Sequence, residues 1–100
     1  MTTQKYFVYF LTNFLRTTLY IGVTRDLIQR VDQHHASTVA GFTKKYHLDL
    51  LIYYEEFDDS MSAIQREKQL KGWRRSKKEA LIARSNPSWK NLGIGLGLSG

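Results

Sequence analysis

One hundred residues with 42% hydrophobic and 13% aromatic content make one small globular domain and exclude a disordered chain. The absence of cysteine excludes disulfide scaffolding, thiolate zinc sites and cysteine nucleophiles, so the fold must rest on packing alone. A net charge of +6 favours a polyanionic partner, while residues 1–5 lack a signal-peptide pattern and no apolar run approaches the roughly 20 residues that span a bilayer, so a cytoplasmic protein with no membrane partner is expected.

Residues 5–11, KYFVYFL, are aromatic and β-branched with apolar side chains on both faces, which predicts a central strand. Asn13 marks a turn, and residues 18–23, TLYIGV, predict a second strand joined to the first as a hairpin. Gly22 weakens that strand and marks either its end or a close backbone approach. Thr24 or Asp26 caps a helix running to about His35, with Asp26 and Gln29 as a capping-box-like pair. Leu27, Ile28, Val31 and His35 form its apolar stripe. Residues 36–48 read as a polar, basic loop, and residues 49–57, DLLIYYEEF, as a third strand. Asp59 or Ser60 opens a second helix that continues to about Trp73, with Gly72 near its end. Ser76 and Glu79 fit a capping box ahead of a short third helix to about Arg84, which Pro87 stops. The order β-β-α-β-α-α predicts an α+β domain, a small three-stranded, mainly antiparallel sheet flanked by helices. Residues 1–92 form the domain, and the Gly-rich residues 93–100 a flexible tail.

The charge is unevenly spread. Arg66, Lys68, Lys71, Arg74, Arg75, Lys77 and Lys78 place seven of the fifteen basic residues within thirteen positions, and Lys44 and Lys45 add to them. Asp49, Glu55, Glu56, Asp58 and Asp59 place five of the nine acids just before. Such a run describes a solvated helix face or a surface for nucleic-acid phosphates.

Within the basic segment, Glu67 follows Ala63 and Ile64 by one turn and precedes Leu70 and Lys71 by one turn, so it lies on or beside the apolar face. Two roles fit a carboxylate there: an i,i+4 ion pair with Lys71, or a metal ligand at the floor of a cleft. Arg30 and His34 share one side of the first helix. They make either a surface pair or a phosphate-binding pair, since the planar guanidinium donates two hydrogen bonds and remains charged. Tyr9 and Tyr20, one in each strand of the hairpin, serve packing or chemistry.

Taken in order, Phe7-Val8-Tyr9, then ten residues, then Tyr20-Ile21-Gly22, then Arg30 and His34 on a helix, then Glu67 on a later helix, resemble the GIY-YIG nuclease family. The resemblance is strongest to small stand-alone members related to the N-terminal nuclease domain of the excinuclease C subunit. It continues through LYIGVTRDLIQRVDQH, AIQREKQLKGWRRSKKEALI and NPSW, over about residues 5–92. It implies a metal-dependent DNA endonuclease using Mg²⁺ or Mn²⁺, with Glu67 as the metal ligand and a part in DNA repair or processing. Tyr9 would then lie by the scissile phosphate as a proposed general base, and Tyr20 would contact phosphate or the attacking water. Arg30 would stabilise the phosphate with His34 in support, Gly22 would allow close approach, and Asn86 would be a late polar residue near the site. Phe7 and Val8 stand where the family has Gly and Ile, positions without a chemical role. DNA is the expected partner in preference to RNA, together with a protein partner for targeting. The alternative is a non-catalytic nucleic-acid-binding module using the same basic face. A free phenol has a pKa of about 10, so Tyr9 needs positive charge beside it to act as a base.

Overall fold

The computed structural model describes residues 4–35 and 48–94, the side chains of residues 33–35 excepted. The predicted basic loop with Lys44 and Lys45, the packing of His35 and the tail beyond residue 94 lie outside the described residues.

Strand β1 (Tyr6–Thr12) pairs antiparallel with both β2 (Leu19–Thr24) and β3 (Leu50–Phe57), so the sheet order is β2-β1-β3. The expected α+β architecture is present, with β1 central as its two apolar faces require. Alternation along β1 divides the core. Val8 and Phe10 join Ile21, Ile52 and Tyr53 on one face of the sheet. That face is covered by Ala63 and Leu70 of α2 (Ser60–Lys71) and by Ile82 of α3 (Arg75–Ser85). Tyr9 and Leu11 join Leu51 on the other, under Leu27 and Val31 of α1 (Leu27–His35). The sheet is thus a middle layer, with α1 on one side and α2 and α3 on the other.

Register is continuous from β1 to β2 but slips between Phe10 and Leu11 against β3, where Ile52 is the extra residue of a bulge. A bulge leaves backbone groups without a ladder partner, and the segment after α3 supplies them. The Asn86 amide donates to the Ile52 carbonyl at 2.8 Å, and the Leu92 N–H donates to the Leu51 carbonyl at 2.7 Å.

Both caps considered for α1 are engaged: the Asp26 N–H donates to Thr24 Oγ1 at 3.1 Å, and Asp26 Oδ1 accepts from the Gln29 N–H at 3.0 Å. Asp59 caps α2, accepting from the Ser62 N–H at 2.7 Å, and Gly72 ends it. Two expectations fail. Ile28 is 47% exposed, because the sheet takes up only the narrow stripe of Leu27 and Val31, and Ile28 is turned about 100° from Leu27. The Ser76–Glu79 capping box does not form. Helix α3 begins at Arg75, which puts Ser76 inside its first turn and turns Glu79 to Arg75 at 2.9 Å.

The hairpin loop, residues 13–18, is held from both sides. Asn13 Oδ1 accepts from the N–H groups of Thr17 and Thr18 at 2.9 and 3.1 Å, and the Arg16 N–H donates to the Asn13 carbonyl at 2.9 Å. That last bond closes a turn in which Arg16 takes the left-handed conformation, φ 59°. From α3, Arg75 donates to the carbonyls of Thr17 and Arg16 at 3.0 and 2.8 Å.

Beside α2, Glu55 accepts a two-pronged contact from Arg66 at 2.8 and 2.9 Å and a hydrogen bond from the Tyr53 hydroxyl. Burial alone would raise the Glu55 pKa, but the bonds from Arg66 and Tyr53 overcome it and hold the carboxyl below its ordinary value. Its side chain is about one-fifth exposed, so solvent screening is limited. Glu55→Ala is therefore expected to cost about 1.5–3 kcal/mol, read by urea denaturation at pH 7. A depressed folded-state pKa stabilises above the unfolded carboxylate pKa, and this contribution is lost as pH falls through the folded value. The gap between wild type and variant should accordingly close below about pH 4.

Candidate active site

Tyr9 and Gly22 stand directly opposite each other on β1 and β2. A Cβ at position 22 would lie 2.6 Å from the Tyr9 hydroxyl oxygen and 2.7 Å from Cζ. The close approach expected at Gly22 is thus that of a side chain, the Tyr9 ring lying across the glycine. Tyr20, two residues before Gly22, is on the same face, its ring centroid 6.2 Å from that of Tyr9 and its plane tilted by 44°. The two phenols are hydrogen-bonded.

Tyr9 is 1% exposed. Burial first, then Tyr20, push its pKa well above the ordinary 10; Arg30 acts against the rise, and Glu67 adds to it. Arg30 of α1 and Glu67 of α2 thus both act electrostatically on the phenol, from two separate elements. The resting Tyr9 is a protonated donor, further from phenolate than free tyrosine.

Glu67 is positioned by its neighbours in α2. Ala63, four residues before, and Leu70, three after, are both fully buried against the sheet, which fixes Glu67 at the rim of the apolar stripe with its side chain 20% exposed. Lys71 Nζ lies 3.4 Å from its carboxylate, an ion pair looser than a good hydrogen bond. Of the two roles open in the sequence, the ion pair with Lys71 is present.

Arg30 is half-buried and lines a cleft with Tyr6, Arg25, Gln29, Ser60 and Ile64, between the start of α1 and the start of α2. Arg25 was not singled out by spacing, although it directly follows β2 at the mouth of α1. Its guanidinium lies over the Tyr6 ring, 5.9 Å from the centroid, and it donates to Gln4. His34 follows Arg30 by one turn of α1, and its side chain lies outside the described residues.

The basic segment divides. Arg66 is held by Glu55, by Gln69 at 2.7 Å and by the Trp73 ring at 5.2 Å, and Lys77 sits on that ring at 4.1 Å. Arg75 is held by Glu79, the hairpin loop and the Trp89 ring at 5.7 Å. Lys68 and Arg74 are exposed and Lys78 is half-buried, with no side-chain ion pair or hydrogen bond to another described residue. Asn86 is 4% exposed, and its amide group bonds the backbone of Ile52 and Lys90, which commits it to holding the bulge and the following turn.

Among the described residues no group of three or more His, Asp or Glu could hold a metal. The carboxylate at this centre is that of Glu67. A single oxygen donor suits Mg²⁺ or Mn²⁺, of which Mg²⁺ keeps several of its own waters, far better than a metal that needs a full protein cage.

Two hydrogen-bonded tyrosines on a small antiparallel sheet, with an arginine and a glutamate acting electrostatically on one of them, mark the candidate centre of this α+β domain. The family model described as the GIY-YIG catalytic domain matches residues 5–80, and the chain belongs to the GIY-YIG family, whose members are generally nucleases that bind nucleic acid. It is similar to a UPF0213 protein of Streptococcus pyogenes serotype M3, 40% identical over 93 residues that cover 91% of this chain and 99% of the relative. A UPF0213 protein of Pediococcus pentosaceus is 35% identical over 86 residues, covering 86% and 90% of the two chains. The solution NMR structure of a UPF0213 protein from Bacillus halodurans superposes with a TM-score of 0.56 at 25% identity, covering 87% of this chain and 92% of that one.

Gly22→Ala should act through Tyr9. A methyl at 2.6 Å from a buried ring forces that ring off its place, an overpacking cost of about 1–3 kcal/mol in thermal or urea unfolding. Tyr9→Phe, which shortens the ring by one oxygen, should recover part of that loss in the Gly22→Ala background.

Proposed function

We propose that the chain is a divalent-metal-dependent endonuclease that hydrolyses a phosphodiester bond of DNA. The observation that carries this reading is the Tyr9 phenol, packed over Gly22 beside Tyr20, with Arg30 of α1 and Glu67 of α2 both acting electrostatically on it. Family membership supports it. A cytoplasmic setting and a part in DNA repair or processing follow the same reading, as does a protein partner that directs a domain with so little surface of its own.

Glu67 would hold the Mg²⁺ or Mn²⁺ ion. When bound, the ion supplies Lewis-acid stabilisation of the charge that develops on the phosphate and the leaving oxygen. Arg30 binds the non-bridging phosphate oxygens through its planar fork, with His34 in support one turn along α1. Lys71, loosely paired with Glu67, is displaced toward the phosphate backbone, where Lys68, Arg74 and Lys78 add sequence-independent attraction. The attacking water is oriented by the Tyr9–Tyr20 pair. Its oxygen bonds to phosphorus in line with the leaving 3′-oxygen, which departs as a 3′-hydroxyl and leaves a 5′-phosphate. Tyr9 serves as a hydrogen-bonding positioner and proton relay for that water rather than as a phenolate base.

The ion pair of Glu67 with Lys71 favours the second reading, a binding module without catalysis. Cleavage of a panel of DNA and RNA forms separates the two. Wild type with Mg²⁺ or Mn²⁺ should nick DNA. Glu67→Ala should lose activity at least a hundredfold yet bind DNA as well as or better than wild type. A chain that cuts nothing and whose binding is indifferent to Glu67→Ala is the module instead. Lys68→Ala and Arg74→Ala should weaken binding uniformly across sequences and each lower the salt slope by about 1.

The role of Tyr9 has its own test. Tyr9→Phe should reduce turnover, and the ratio of wild-type to variant rates should stay constant from pH 6 to 9. A phenolate base with a raised pKa would be populated about tenfold more per pH unit, so a ratio rising in that proportion would contradict the positioning role.

A further inference from the structure

The tip of the β1–β2 hairpin presents two large apolar side chains to water, Phe14 at 86% exposure and its neighbour Leu15 at 73%. Single exposed apolar residues are ordinary on protein surfaces. Here the two are adjacent and stand on a loop held in one shape. Asn13 ties down its N-terminal side, and Arg75 of α3 grips the carbonyls of Arg16 and Thr17. Arg16 itself is fixed in a left-handed turn, with its guanidinium donating to the Ser88 carbonyl at 3.2 Å.

The charge around the tip is complementary to a phosphate backbone. Residues 13–18 contain no acid, and the helix that grips them opens with Arg74 and Lys78, neither of them engaged by another described side chain. Tyr20 sits on β2, two residues beyond Thr18, so the tip stands on the order of 10–15 Å from the Tyr9–Tyr20 pair, about three or four base steps of duplex.

We propose that Phe14 and Leu15 form an apolar wedge that engages unstacked or unpaired bases of the DNA, making the chain selective for branched or gapped DNA over intact duplex. The inference rests on the DNA-cleaving reading of the neighbouring site and assigns its substrate class. A rigid apolar pair flanked by cations can enter a base step that is already open and stack there while the cations hold the flanking phosphates. On intact duplex the same insertion requires unstacking, so the wedge discriminates by what the substrate has already lost.

Binding is measured by fluorescence anisotropy of a three-way DNA junction and of a fully paired duplex of equal length, with Ca²⁺ present to suppress cleavage. 2-Aminopurine at the junction reports base stacking. Wild type should prefer the junction by about tenfold and change the 2-aminopurine emission. Phe14→Ser/Leu15→Ser, both at exposed positions, should lose that preference and the optical change while binding duplex as wild type does, with an unchanged salt slope. Phe14→Trp should keep the preference. Wild type that binds both DNAs equally overturns the wedge and leaves the cleavage reading intact. Wild type that binds neither defeats both. A double variant that retains the junction preference but sediments as a smaller species than wild type overturns the wedge in favour of contact between copies of this chain.

Discussion

The ring of Tyr9 lies across Gly22, and the rest of the site is arranged around that contact. No residue with a Cβ fits at position 22 while the ring stays where it is. The phenol is thereby fixed in height over the sheet, beside Tyr20 on the same strand pair and beneath α1. Because β1 is central, a displacement there would disturb both of its ladders. The same burial that fixes the ring raises the pKa of its phenol.

Around this contact the charged residues divide between holding the fold and facing its partner. Arg66 and Arg75, which look alike in the sequence, are both consumed in the structure. One closes β3 against α2 through Glu55, and the other closes α3 against the hairpin. The acidic run is consumed likewise, with Glu55 under Arg66, Asp58 paired to Lys5 and Asp59 capping α2. What remains for phosphates is a shorter set, Lys68, Arg74 and Lys78 with the loosely held Lys71. A charge run counted from the sequence overstates the binding surface for this reason.

Much of the fold was legible because each local signal agreed with the global one. The aromatic and β-branched strands, Asp26 and Asp59 as caps, and Gly72 as a stop all fall where the elements begin and end. The apolar faces of β1 predicted its central place. What was not legible depended on distant partners. Ile28 fits a helical stripe, yet only the width of the sheet decides that Leu27 and Val31 are enough. The start of α3 is set in part by the grip of Arg75 on a loop far away in sequence, which no capping pattern encodes. Asn86 reads as a polar residue near the site, but the bulge at Ile52, invisible in the sequence, employs its amide. Of the candidate site, the identity and order of Tyr9, Tyr20, Arg30 and Glu67 were readable, and Arg25 was missed because it belongs to no spacing pattern.

The central claim is that these four residues surround one metal-supported phosphate site. Paramagnetic line broadening of backbone amide NMR signals by substoichiometric Mn²⁺ tests it most directly, since it reports the position of the ion without requiring activity. The account predicts broadening centred on residues 9, 20–22, 30 and 67 together, lost in Glu67→Gln. Broadening centred instead on the acidic residues 55–59, or retained in Glu67→Gln, would contradict it.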